Sequence, residues 1–188
     1  MRGLSHKQLG KYLARIYMPD APQKHVRAFL IGCVEPDRNP ATYLKGSFRF
    51  QWLRGHNYRN ARSYMSRLAL RLENRSELSL LDYYALGKLI HYITDSFTSA
   101  HNDRFPTGLD AHREYEAALQ GYFLNFLSRD PQPEVLPCCR IMDLIRSQHR
   151  IYSRFPPDIQ TDTHFAFTAS CCVASALLAK SAQPAPAV

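Results

Sequence analysis

The chain has 188 residues, 45% of them hydrophobic and 21% charged, with a net charge of +8. That composition fits one globular domain with a sizeable core and excludes a disordered or fibrous chain. No run approaches the ~18 consecutive apolar residues of a membrane span, and the most apolar stretch, 165–179, is interrupted by Thr168, Ser170 and Ser175.

Taken in order, the chain reads as helices with short connections. Residues 5–18 carry Leu9, Leu13, Ile16 and Tyr17 at helical spacing, and Pro19 and Pro22 end that helix. The first eighteen residues also hold Arg2, His6, Lys7, Lys11 and Arg15. They contain no apolar block of signal-peptide type, so the expected location is the cytoplasm. The segment 32–55, with Pro36, Pro40 and Gly46, reads as irregular. Tyr64, Leu68 and Leu72 then form one stripe of a helix over 57–74.

Ser79-Leu-Leu-Asp82 is a capping box opening a helix to about Phe97, and Thr107-Gly-Leu-Asp110 opens another to about Leu127. After Pro131, Pro133 and Pro137, two further helices are expected over 140–152 and 163–180. No sustained alternation suggests strands, and no repeat or linker divides the chain. The expected architecture is an all-α single-domain bundle over residues 1–180, with 181–188 as a flexible tail.

The positive charge favours anionic partners: nucleic acid, phosphorylated metabolites or an anionic lipid surface. Arg59, Arg62, Arg67 and Arg71 read most simply as the solvated face of one helix. Cysteine is odd in number, with Cys33, Cys138/Cys139 and Cys171/Cys172. This suits buried thiols better than a disulfide framework, a bridge or metal site between the two pairs being the alternative.

The chemistry lies elsewhere, in the ordered series Asp37, His56, His91, Asp95, His101, His112, Glu116. His91/Asp95 and His112/Glu116 are spaced i, i+4, so each pair leaves one helical face together. A single such pair is more often a surface ion pair. Two pairs within a short span, with His101 between them, call for another explanation. Leu89, Tyr92, Ile93 and Phe97 around the first pair place it in a core, where unpaired carboxylates are expensive and a cation offsets the cost. Imidazole and carboxylate are ligands that zinc accepts. Seven such residues exceed one tetrahedral ion and suit two or three, an arrangement that hydrolyses phosphate esters. A helical hairpin would bring His91, Asp95, His101, His112 and Glu116 together. His25, His149 and His164 lack partners at useful spacing.

The series resembles the zinc-dependent phospholipase C family and its structural relatives, the S1/P1 nucleases. The resemblance rests on His91-x3-Asp95-x5-His101 and His112-x3-Glu116, preceded by Gly32-x3-Pro36-Asp37 and Gly55-His56, and covers about residues 5–127. It implies an all-α fold with three zinc ions in a cleft. Asp37, His56, His91 and Asp95 would hold the first, and His101, His112 and Glu116 the second. Asp95 would bridge to a third, shared with His6 and the N-terminal residue. Members typically expose a terminal tryptophan after a leader is removed. Here Met1 precedes His6 by five residues, and the large Arg2 disfavours its removal. Met1 is therefore expected to supply the terminal ligand, the alternative being a two-zinc site with His6 idle.

The resemblance also assigns Asp37 as the group that orients or deprotonates the attacking water. Choline-specific members place aromatic residues where this chain has Arg38 and Leu53. An arginine opposes the cation–π attraction that holds a quaternary ammonium, so Arg38 points to an anionic substrate. The leading expectation is a zinc-dependent phosphodiesterase, phospholipase C-like, acting on a phospholipid headgroup with possible peripheral membrane contact. A P1-type single-strand nuclease or phosphomonoesterase is the alternative, for which Tyr43, Phe48, Phe50 and Trp52 would stack bases. A non-catalytic protein braced by structural zinc is the competing class.

Overall fold

The computed structural model describes residues 1–39, 56–102, 105, 109–134, 136–137 and 140–178. Among them run seven helices and no strand: α1 (Gly3–Tyr17), α2 (Gln23–Arg38), α3 (Tyr58–Glu73), α4 (Leu80–Ser96), α5 (Leu109–Ser128), α6 (Ile141–Tyr152) and α7 (Ile159–Leu178). A 3-10 turn at Ser99–His101 follows α4. The all-α expectation holds. The tail 181–188, the aromatic residues of 43–52, Leu53, Gly55, Thr107 of the second capping box and Cys138/Cys139 lie outside the described residues. Among the described residues, no helix is long and apolar enough to cross a membrane.

One element corrects the sequence reading. Residues 23–38 form α2, so Asp37 ends a helix instead of lying in an irregular segment. Pro36 removes one backbone donor in the last turn of that helix, where little of the ladder remains to be lost. Burial of Phe29, Gly32 and Cys33 along one face outweighs that loss. Similarly, α7 starts a turn earlier than residue 163, because Asp158 Oδ2 accepts the Thr161 N–H at 2.7 Å and opens the helix as a cap.

The central element is α4, packed against α1, α2, α3 and α7. Leu86, Leu89, Ile90, Tyr92 and Ile93 are all fully buried, so its apolar surface runs around the helix and no single stripe faces out. Its crossing with α2 is unusually close. A Cβ on Gly32 would stand 2.2 Å from the Tyr84 carbonyl oxygen, and one on Gly87 2.1 Å from that of Phe29. Only two glycines permit that approach, and it lays the end of α2 against the face of α4 that carries His91 and Asp95.

The N-terminus of α4 is the expected capping box. Ser79 Oγ accepts the Asp82 N–H, and Asp82 Oδ2 accepts the Ser79 N–H at 3.1 Å. Asp82 Oδ1 also accepts from Arg71 at 2.7 Å. Burial opposes ionisation of Asp82, but the Ser79 and Arg71 donors hold its carboxyl below the ordinary 3.8. A depressed carboxyl stabilises the fold above its unfolded value and loses that contribution as pH falls through the folded one. Asp82→Asn is therefore expected to lower Tm at pH 7, with the gap from wild type closing below about pH 4. Thermal melts at pH 7, 5 and 3 check this; a gap that stays constant removes the role of the charge.

Candidate metal centre

Six segments deliver the expected residues to one place. His6 comes from α1, Asp37 from the end of α2, and His56 from just before α3. His91 and Asp95 come from α4, His101 from the 3-10 turn, and His112 and Glu116 from α5. His6, His56, His91 and Asp95 are buried, while His101, His112 and Glu116 are partly exposed.

Asp95 sits between two groups of donors and gives one oxygen to each. Its Oδ2 lies 3.1 Å from His56 Nδ1 and 3.2 Å from His91 Nε2. Asp37 Oδ1 faces the same two rings at 3.7 and 3.6 Å. Asp95 Oδ1 lies 3.1 Å from His6 Nε2 and 2.7 Å from the Met1 amine. That amine is buried, 2.7 Å from His101 Nε2 and 3.1 Å from Glu116 Oε1. Glu116 Oε1 lies 3.1 Å from His101 Nε2, and its Oε2 3.6 Å from His112 Nε2. Ligand atoms of His6, Asp37, His91 and Asp95 fall within 4.8 Å of one another, as do those of His101, His112 and Glu116. The grouping differs from the expected one in placing His6 with the first set, which His56 also adjoins.

The donor set fits bound cations. His91 Nδ1 lies 3.0 Å from the Cys33 carbonyl oxygen. That oxygen can only accept, so Nδ1 carries the proton and Nε2 presents a lone pair to the oxygens of Asp95 and Asp37. His56 Nδ1, 3.2 Å from His91 Nε2, has at most one proton to give, so acceptors still face one another there, an arrangement that a positive ion between them resolves. Burial pushes His91 down to about 4 and also lowers His6 and His112, so these rings are neutral at pH 7. Burial opposes ionisation of Asp95 and Glu116, yet the His101 ring and the Met1 amine hold both carboxyls well below the usual range. Neutral His6, His91 and His112 with ionised Asp95 and Glu116 are the protonation states that metal binding requires. Against its burial, Asp95 and Glu116 hold the Met1 amine as an ammonium, whose proton an ion would displace. His6 Nδ1 and Asp37 Oδ2 are, in addition, buried without a hydrogen-bond partner among the described residues.

Of the remaining expected residues, Arg38 is exposed beside Asp37 in the last turn of α2. His25 stacks on Tyr83, and His164 meets Phe165 edge-on. His149 Nε2 donates to Asn102 Oδ1 at 3.1 Å, next to His101 but outside both ligand groups. Sequence reasoning missed the supports: the Cys33 carbonyl, and the carboxylate of Asp162, which holds Ser99 two residues before His101. Neither stands at a spacing that could announce it.

An all-α bundle that gathers imidazoles and carboxylates around one buried aspartate defines the class of helical proteins with a candidate metal centre. A sequence model of the family described as Zinc dependent phospholipase C matches residues 5–170. The chain belongs to that family, and its function is accordingly of the zinc-dependent phospholipase C kind. The match runs beyond the ligand series into α7. No curated protein and no solved structure matches the chain.

Proposed function

We propose that the protein is a phosphodiesterase that holds two to three zinc ions on Asp37, His56, His91 and Asp95, on His101, His112 and Glu116, and on His6 with the Met1 amine. The observation that carries this is the lone pair of His91 Nε2, fixed by the Cys33 carbonyl, turned toward two carboxylates. When bound, zinc lowers the pKa of water from 15.7 toward ~7 and neutralises charge developing on a phosphoryl group. The chain's own part is to place and deprotonate the nucleophile. Asp37 spends Oδ1 on the histidines, and its Oδ2 has no hydrogen-bond partner among the described residues. That oxygen is free to take the proton of the water that attacks phosphorus. No covalent intermediate is required.

Arg38 next to Asp37 and the net charge of +8 favour an anionic phosphate ester over a choline headgroup. The substrate is therefore an anionic phospholipid, reached at a lipid surface.

Zinc per chain, measured by elemental analysis beside hydrolysis of bis-(p-nitrophenyl) phosphate, tests the reading. Two to three equivalents are expected, with activity lost to a chelator and restored by zinc. A protein that binds no zinc and stays inactive when zinc is supplied sinks it. Cleavage of anionic mixed micelles but not of single-stranded DNA is expected; the reverse would make the protein a nuclease.

The Met1 amine serves as a ligand only when Met1 is the mature terminus. Two residues added before Met1 are expected to remove about one equivalent of zinc. Full zinc content in the extended protein would exclude the amine as a ligand.

A further inference from the structure

Asp162 lies outside the ligand series, and it is fully buried in the first turn of α7. Four donors converge on its carboxylate, two on each oxygen. Oδ2 accepts the Ser99 N–H at 2.6 Å and the Tyr115 hydroxyl at 2.8 Å. Oδ1 accepts the Ser99 hydroxyl at 2.7 Å and the Tyr152 hydroxyl at 2.7 Å. None of these donors is a cation. A buried carboxylate without a counter-charge is costly and persists only when its oxygens are saturated.

The donors come from the places that carry one group of ligands. Ser99 opens the 3-10 turn that ends at His101. Tyr115 precedes Glu116 on α5 and stands one turn from His112. Tyr152 closes α6. Asn102 holds the same turn from its other side, donating to the carbonyls of Ser96 and Thr98 at 3.0 and 2.8 Å. A carboxylate needed only to join α6 to α7 would have no use for bonds to the backbone before His101 and to the residue before Glu116.

We propose that Asp162 is a positioning residue for the His101/His112/Glu116 ion site, fixing the His101 turn against α5 so that the three ligands converge. This rests on the zinc-binding reading above and adds to it the selective dependence of one site on a residue that touches no ligand. Outer groups that orient metal ligands typically change affinity by about 10–100-fold when replaced.

Asp162→Asn is the informative change because it keeps shape and volume. The amide has one acceptor oxygen, and its NH2 faces two donors where the carboxylate had acceptors. The experiment titrates zinc into the full chain against a chromophoric chelator for wild type, Asp162→Asn, His112→Ala and the double variant. In Asp162→Asn, one equivalent is expected to weaken ten-fold or more while the others keep wild-type affinity. Adding Asp162→Asn to His112→Ala is expected to change little, because both act on one site. Tyr115→Phe, which deletes a single donor, is expected to weaken the same equivalent to a smaller degree, and it carries the test should Asp162→Asn fail to fold. Equal weakening of every equivalent, or unchanged affinity throughout, overturns the positioning role while leaving zinc binding standing. A wild type that takes up no zinc overturns both.

Discussion

Asp95→Ala is expected to empty both halves of the metal centre and reduce phosphodiesterase activity roughly a thousand-fold or more, as loss of several kcal/mol of charge stabilisation requires. The reason is geometric. Among the described residues, Asp95 presents Oδ2 to His56 and His91, while its Oδ1 meets the Met1 amine and stands 3.8 Å from His101 Nε2 in the other group. Replacement of a residue on one side only, such as His112, should spare the equivalents on the other. The fold should survive the Asp95 change, because Leu89, Ile90, Tyr92 and Ile93 keep α4 packed without it. Zinc per chain, activity and far-UV circular dichroism together decide the matter. A variant that retains two or more zincs would show that the two groups do not share Asp95.

The second large effect is mechanical. Gly87→Ala places a methyl group 2.1 Å from the Phe29 carbonyl oxygen and 2.8 Å from the Cys33 nitrogen. Both are backbone atoms and neither can rotate aside, so α2 must move away from α4. The cost is expected to be about 3 kcal/mol or more, at the upper end for overpacked sites. For a chain of this length that lowers Tm by roughly 6–12 °C. The same displacement draws the Cys33 carbonyl away from His91 Nδ1 and Asp37 away from its histidines. Zinc affinity should fall together with Tm, as measured by thermal melts and chelator competition on one preparation. Gly121→Ala is the control: nothing stands within 4 Å of a Cβ there, so a helix stabilisation of up to ~1 kcal/mol is expected in its place. A Gly87→Ala protein with wild-type Tm would mean the helices are not in contact at that point.

Much of the architecture and of the ligand set was legible because it is local. Helical periodicity and the Ser79/Asp82 box place α4, and i, i+4 spacing puts His91 with Asp95 and His112 with Glu116 on common faces. Such signals lie within one or two turns of chain, where backbone geometry alone decides which side chains meet. The helix over 23–38 was hidden by Pro36, since propensity registers the lost donor but not the packing of Phe29, Gly32 and Cys33 that outweighs it.

Sequence by itself therefore determined the helical class, the residue types capable of holding zinc, and the pairs that act together. The family resemblance already implied that Asp95 bridges two sites with Met1 at one of them; tertiary structure alone decided that His6 adjoins the His91 group and that the Met1 amine is buried against Glu116. It also decided the supports, the Cys33 carbonyl 58 residues from His91 and the Asp162 carboxylate 63 residues from Ser99. Contacts at such separations depend on how closely α2 can cross α4 and on where α7 ends up against the His101 turn. No local periodicity encodes them, because they are made only when burial of the whole core brings the helices together.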